Sequence, residues 1–523
     1  MRKHCFGNKN KPQLYFLVLL LIFCALVIGI KPRFVWSNVQ QLYNKWMILT
    51  MILEKIERFY VDEKHPDDLL KDAIDGMLFG LDPHSVYLTA EQYKDYSKKY
   101  DGYYGLGLKY CRFDSVLVVS SIIENSPAAT AGIRIGDRIV KISGINIAAI
   151  RNESLEQFLS GQEEKIITML VERPNEEGRF SLELVKRQIL DDTIPIDFMI
   201  RDDIGYIRLL YFADSTPREL DKALSSLMNA GMKKLILDLR DNSGGALNSG
   251  VAVADRFIPA GKLIGFTKGR APQSSEQFVA NHQIFDHIPL IVLVNETTAS
   301  DAEIVAGAIQ DWDRGLIIGR KTYGKALVQT EYTFQDESVL LLTTARYYTP
   351  LGRLIQKDYQ ENETDLKTDK KDEPQKYKTA KGRIVYGGGG IQPDITLQNI
   401  DQVFPECLRA LYSLNENIFF KFADKYVISQ DEQFFSYDMQ TFRSFKVDAL
   451  LWQQFKEYVQ RSKIKITSSE LESNAKILQN KIKVELAGRL WGDKGRYAVT
   501  MANDPEVNAS LVYFNQASAL LKK

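Results

Sequence analysis

The chain has 523 residues, of which 45% are hydrophobic and 26% charged, with 67 Lys plus Arg against 67 Asp plus Glu. That length has room for about three to four domains, the apolar share supports several cores, and the zero net charge gives no bias toward nucleic acid. The amino end carries Arg2, Lys3, Lys9 and Lys11 and then an uncharged apolar run over 14–30. The run stands at the short limit of a membrane span, about 17–25 residues, and is longer than a signal-peptide core of about 7–15. It is expected to be an uncleaved anchor, with a cleaved signal ending near Gly29 as the alternative. The basic residues ahead of it place 1–13 in the cytoplasm and the bulk of the chain outside. Beyond the run only Cys111 and Cys407 remain, in different predicted modules, so a disulfide framework is not expected. Residues 38–100 read mainly as helix, with Leu42, Trp46, Ile48, Ile52, Ile56 and Phe59 as apolar positions suited to plain core packing.

The next segments are Gly102-Tyr-Tyr-Gly-Leu-Gly-Leu-Lys109, Leu117-Val-Val-Ser-Ser-Ile-Ile, Ser126-Pro-Ala-Ala-Thr-Ala-Gly-Ile-Arg-Ile-Gly-Asp-Arg-Ile-Val140 and Ile142-Ser-Gly144. Together they resemble a PDZ domain. In such a domain the glycine loop, here Tyr104, Gly105, Leu106 and Gly107, would offer amides to a peptide's terminal carboxylate while the peptide adds as a strand to the sheet edge. An ordinary hairpin turn is the lesser alternative, given the downstream Ala-Gly-Ile-Arg-Ile-Gly-Asp string.

Residues 234–240 predict a buried strand, Asp241-Asn-Ser-Gly-Gly245 the turn after it, and a helix begins near Ala246. Glycines let a backbone approach a ligand and aim N–H groups at a developing negative charge, although a tight strand-to-helix turn needs them too. A second apolar strand over 288–295 gives way to a helix opening at Ser300. Ser300-Asp-Ala-Glu303 spells a capping box, and it also sets a hydroxyl at the mouth of a helix. Lys325 follows in Thr322-Tyr-Gly-Lys, between the short strand Leu316-Ile-Ile-Gly and Ala326-Leu-Val-Gln. It reads either as a solvated strand-end lysine or as an amine base. A serine hydroxyl attacks only when a neutral base takes its proton. Lowering a lysine from about 10.4 to 7 requires roughly 4.6 kcal/mol, which burial can supply. Gln329 stands four residues on, about 13 Å in an extended chain, so it would meet the lysine end to end or across a bend. The two strand-turn-helix units suggest parallel pairing through right-handed crossovers. Gly244, Gly245 and Ser300 then fall at the carboxyl ends of strands, where ligands gather. His282 and His287 are alternative bases for the serine, His84 reads as structural, and no His/Cys/Asp/Glu cluster has metal-ligand spacing.

Residues 357–382 turn polar and charged and predict a mobile insertion. Residues 399–523 carry helical patterns, with Asp504-Pro-Glu setting a cap, a first-turn proline and an acid in order, and no function follows from them.

Five segments in chain order carry a wider resemblance. They are Leu81-Asp-Pro-His-Ser-Val-Tyr-Leu88, Leu237-Asp-Leu-Arg-Asp-Asn-Ser-Gly-Gly245, the block 294–329, Tyr348-Thr-Pro-Leu-Gly-Arg353 with Ile355-Gln356, and Gly389-Gly-Ile-Gln-Pro-Asp394. Over roughly residues 40–398 the chain resembles the carboxyl-terminal processing (tail-specific) serine peptidases. The resemblance implies an α/β multidomain chain: an N-terminal helical region at 38–100, a β-rich PDZ domain with helices at 101–188, a crotonase-like α/β serine protease core at 189–398 and a helical C-terminal extension at 399–523. It makes Ser300 the nucleophile, Lys325 the general base and Gln329 the residue that orients the lysine, and puts oxyanion donors at Gly244 or Gly245 and at the Asp301 amide. It further implies protein or peptide substrates chosen by free C-termini, no cofactor, and a helical arm able to pair protomers as a homodimer. Joined to the amino end, this predicts a single-pass protein of a bacterial inner membrane with its catalytic part in the periplasm.

Three positions depart from the family pattern. It has a small residue and a serine after the nucleophile and glycine after the lysine, where this chain has Asp301, Ala302 and Ala326. A carboxylate aimed at Lys325 would favour the ammonium, so the Asp301 side chain is expected to point away, toward the positive end of the helix dipole. Two rival readings follow: a membrane-tethered PDZ scaffold or chaperone that has lost activity, and a serine–histidine hydrolase.

Overall fold

A computed structural model describes residues 32–113, 115–161, 166–281, 285, 287–357, 375–398, 406–412, 417–430, 432–462 and 464–522. The apolar run at 14–30, His282 and residues 358–374 lie outside the described residues. The chain divides into two units, Met1–Tyr87 and Leu88–Lys523.

The first unit holds the helices Pro32–Phe59 and Pro66–Phe79. The second helix starts on a proline and carries Asp67 and Asp68 in its first turn, where a missing N–H costs nothing and negative charge meets the helix dipole. Among the described residues no helix is long and apolar enough to cross a membrane. Leu42, Trp46, Ile48, Ile52 and Phe59 are each half or more exposed, so these positions do not form the packed face that their spacing predicted. At the end of the unit the Asp82 carboxylate accepts the His84 and Ser85 amides at 2.9 and 3.0 Å, which gives the Asp-Pro-His-Ser string a turn role.

In the second unit, a six-stranded antiparallel sheet runs Leu108–Phe113, Val116–Ile122, Arg138–Ile142, Ile166–Glu172 and Arg179–Val185 in spatial order, with Ile145–Asn146 pairing off this path with Arg138–Ile142. Its apolar face closes over a separate core with Leu117, Ile139, Met169 and Val171 fully buried. The helices Pro127–Thr130 and Asn152–Leu159 belong to the same module.

A second sheet has six strands in the order Ile196–Arg201, Ile204–Arg208, Lys234–Asp238, Leu290–Val294, Leu316–Gly319, Ile395–Thr396. The first pair is antiparallel and the rest are parallel. Strands covered on both faces read as unbroken apolar runs, and every residue of Leu290–Val294 is buried. One face packs on the helices Thr216–Asn229, Leu247–Asp255 and Asp301–Asp311. The last of these is buried along its whole length, which its Ala302, Ala306, Gly307 and Ala308 make sterically possible. The other face, with Ile204, Ile236, Ile291, Leu293 and Ile318, is closed by Ala498, Val507, Phe514 and Ala517 of the C-terminal extension.

That extension is helical, as expected, with Ile418–Ile428, Ala449–Arg461, Ala475–Ala502, Pro505–Ser510 and Phe514–Leu521 as its main elements. Asp504 caps Pro505–Ser510 by accepting the Val507 amide at 2.8 Å. The helix Ala475–Ala502 breaks at Gly492, φ 65° and ψ −147°. Beside the break the Asp493 amide donates to Ser121 Oγ at 3.1 Å and Arg496 to the Ser120 carbonyl at 3.2 Å. The expected mobile insertion is partly ordered: Lys376–Lys378 pairs with Ile384–Tyr386 as a hairpin.

Candidate active site

Three neighbouring parallel strands deliver the candidate residues. Lys234–Asp238 and Leu290–Val294 run side by side, with Asp238 opposite Leu293, and Leu290–Val294 is next to Leu316–Gly319. Their carboxyl ends therefore open on one edge. The turn at 241–245 follows the first, Ser300 the second and Lys325 the third.

The turns are tied to one another. Thr298 Oγ1 donates to the Leu239 carbonyl at 2.8 Å, the Ala299 amide to the Asn242 carbonyl at 2.9 Å, and the Asp241 amide to Asn295 Oδ1 at 2.9 Å. Held from both sides, Ser300 takes φ 56° and ψ −119°, a backbone conformation uncommon outside glycine that costs of order 1–3 kcal/mol. Gly244 is forced by the same crowding: at φ 94° a Cβ there would lie 2.6 Å from the Ser300 Cβ. The predicted capping box is present, with Glu303 Oε2 accepting the Ser300 amide at 3.0 Å.

Glu303 does far more than cap. Its Oε2 also accepts the Lys325 amide at 2.8 Å, and its Oε1 accepts the Gly324 amide at 2.8 Å and the Thr322 hydroxyl at 2.5 Å. One buried carboxylate thus joins the serine loop to the lysine loop. Burial pushes this carboxyl up to about 7, against the four donors that favour the anion. The sequence signalled Glu303 only as a cap residue, because its other partners lie about twenty residues further on.

Lys325 Nζ donates to Gln329 Oε1 at 3.3 Å. An irregularity in the pairing between Leu327–Thr333 and Val339–Tyr348 falls between Val328 and Gln329, and a β-bulge bends a strand locally; a bend here is one of the two arrangements their spacing allowed. Ser300, Asp301, Lys325, Gln329 and Gly245 line one cavity of about 160 Å³, whose apolar wall includes Leu247 and Ile304. A neighbouring cavity of about 500 Å³ shares Tyr96, Gly245 and Glu331 with it. His287 is exposed and outside this lining.

The expected orientation of Asp301 is not found. Its carboxylate is buried, accepts the Gly245 amide at 2.7 Å and lies within the electrostatic reach of Lys325. The helix dipole that was expected to hold it is outweighed by a charge-assisted hydrogen bond from the adjacent turn. The Gly244 amide is also engaged, donating to Asn242 Oδ1 at 2.8 Å.

Behind the turn, Asp238 accepts Tyr206 Oη and Arg208 Nη1 at 2.7 and 2.8 Å and Arg240 Nη2 at 2.7 Å. Burial pushes its carboxyl up, yet the two guanidiniums more than offset this and hold it well below the usual carboxylate range. Arg240 reaches on to Asp504 at 3.1 Å and Glu506 at 2.7 Å. Arg320, which opens the lysine loop, pairs with Glu506 and, at 2.6 Å, with Glu296.

The Tyr104–Gly107 segment is no hairpin. Tyr103–Gly105 pairs with Arg187–Ile189, and the Leu106 and Gly107 carbonyls accept the Ala128 and Ile123 amides, each at 2.9 Å. The segment does not line the Ser300 cavity. Among the described residues no group of His, Cys, Asp and Glu is disposed to hold a metal ion.

Comparison with known proteins bears on both halves of the second unit. Residues 203–367 match peptidase family S41, residues 118–173 a PDZ domain, and residues 410–492 a family of unknown function. A carboxy-terminal-processing protease of Bartonella bacilliformis is 34% identical over 351 residues, covering 66% of this chain and 80% of that protein. A probable CtpA-like serine protease of Staphylococcus aureus is 32% identical over 322 residues, and the match spans 61% of this chain and 63% of that relative's length. Among solved structures, the photosystem II D1 C-terminal processing protease is 25% identical, with 66% of this chain and 86% of that chain covered at a TM-score of 0.36.

Proposed function

The chain belongs to peptidase family S41 and is a carboxy-terminal-processing serine peptidase with a PDZ domain, and on that premise we propose that Ser300 is its nucleophile, Lys325 its general base and Gln329 the group that holds the lysine. The observation that carries this reading is the shared cavity: Ser300, Lys325 and Gln329 line it together, and the lysine is tethered at 3.3 Å. The neutral amine takes the proton as Ser300 Oγ attacks the scissile carbonyl carbon, and passes it to the leaving nitrogen as the C–N bond breaks. Water then releases the acyl group by the same steps in reverse order. The oxyanion formed in each half needs N–H donors. The Gly245 amide and the Asp301 amide are the proposed pair, since both residues line the cavity, whereas Gly244 does not and its amide is bonded within its own turn.

Substrates are proposed to be proteins with free C-termini, their terminal carboxylate received at Tyr104, Gly105, Leu106 and Gly107. The supporting feature is the PDZ match at 118–173, which begins one strand after that loop. Purified full chain, given unfolded proteins with apolar tails, is expected to cleave them, while Ser300→Ala and Lys325→Ala lose at least about a thousandfold in rate. Amidation of the substrate C-terminus should raise KM. Equal cleavage by Lys325→Ala removes the proposed base, and indifference to amidation removes tail selection.

A periplasmic placement, anchored by 14–30, is proposed from the basic residues ahead of that run. Membrane fractions should retain the chain through alkaline carbonate washing and release it in detergent; release by carbonate alone contradicts an anchor.

A further inference from the structure

We propose that Asp301 is a resting-state occupant of the oxyanion site: its carboxylate holds the Gly245 amide at 2.7 Å until the acyl group of a substrate displaces it. The inference rests on the reading of Ser300 as nucleophile and Gly245 as donor, and goes beyond it by giving a function to a residue that departs from the family pattern.

Three observations carry it. The carboxylate stands where a negatively charged oxygen is wanted by a backbone donor, which is also what the tetrahedral intermediate presents. Asp301 is 2% exposed, so the bond is not a passing surface contact. The helix opposite makes room for it, because a Cβ on Gly250 would fall 2.7 Å from the Asp301 Cβ.

The charge has a second consequence. Lys325 faces Asp301 from the loop before Leu327–Thr333, and an anion there favours the ammonium over the neutral amine that the reaction needs. Glu303 on the same helix, Tyr347 from Val339–Tyr348, Glu331 from Leu327–Thr333 and Tyr96 from Ala90–Asp101 are the other titratable groups around the cavity. Helix Leu247–Asp255 meets Asp301 through Gly250 and brings no charge to that contact. Burial pushes the Asp301 carboxyl up, opposed by the Gly245 amide, by Lys325 and by its own amide. With the carboxylate in place, one donor is filled and an anion stands beside the base; with it displaced, both are released together.

The test uses the full chain with a fluorophosphonate probe and with a peptide ending in a free carboxylate, each followed against pH. Asp301→Ala is expected to react on the order of tenfold faster at Ser300, the fold-change for losing one competing charged hydrogen bond, and to move the acid limb of kcat/KM to lower pH. Asp301→Asn, which keeps the shape and loses the charge, should move the acid limb likewise with a smaller gain in rate. A gain in either folded variant supports the assignment. If neither gains while Ser300 is still labelled, Asp301 is not an occupant and the nucleophile stands. If the probe misses Ser300 in wild type and both variants, the nucleophile reading fails and takes this inference with it.

Discussion

Glu303 is asked to be two things at once, an acceptor for four donors and a carboxyl sealed from water. Its folded pKa of about 7 stands above the ordinary 4.5, so folding favours the protonated form. A raised pKa contributes stability that is full below the unfolded value and is lost as pH rises through the folded one. The window is therefore about 4.5 to about 7, and the swing is roughly 3 kcal/mol. Glu303→Gln has no proton to lose, and it turns an NH₂ group toward amide donors, which costs about 1–3 kcal/mol. Urea unfolding at a series of pH values is expected to show the wild type ahead at pH 4.5, with the gap narrowing toward pH 7. A gap that is flat across that window would mean the carboxyl does not titrate there. At this scale the sequence was partly legible. The identities Ser300, Lys325 and Gln329 could be marked from their neighbours along the chain, whereas the Asp301 orientation could not. Its deciding partner, the Gly245 amide, arrives from another strand, and a linear reading sees only the helix dipole.

Pro505–Ser510 is a short helix with a large electrostatic task. Through Glu506 it holds Arg240, at the end of the strand that leads into the 241–245 turn, and Arg320, at the start of the loop that carries Lys325. Glu506 is 9% exposed and Arg240 7%, so solvent screens these pairs little, and removing one partner strands the others. Breaking a buried pair in this way typically costs about 3–5 kcal/mol. Glu506→Ala is expected to lose at least about 3 kcal/mol by urea unfolding, with Asp504 still pairing Arg240 and limiting the damage. A loss below about 0.5 kcal/mol would show that the guanidiniums find equivalent partners. The Asp-Pro-Glu signature announced this helix and its cap in the sequence. It did not announce what the acid binds, because opposite charges far apart in a chain carry no mark of their pairing. The hairpin Lys376–Lys378 with Ile384–Tyr386 was hidden for a related reason: its lysines and charged surroundings read as solvated coil.

At the scale of the molecule, the parallel strands were legible because a sheet covered on both faces must be apolar along its length. The cover itself was not. Helices from the 216–311 region close one face of the six-stranded sheet and the C-terminal extension closes the other, so a segment that suggested no function in the sequence completes the core beneath the site. The same extension grips the PDZ sheet at Ser120 and Ser121, and one continuous piece of chain touches both modules. The order of synthesis gives the Glu506 clasp a further meaning. Arg320 finds its acid 186 residues downstream, so the loop that carries Lys325 lacks this partner until the chain has been extended that far. The clasp that joins the Arg240 and Arg320 loops through Glu506 therefore closes only after the C-terminal extension has been made.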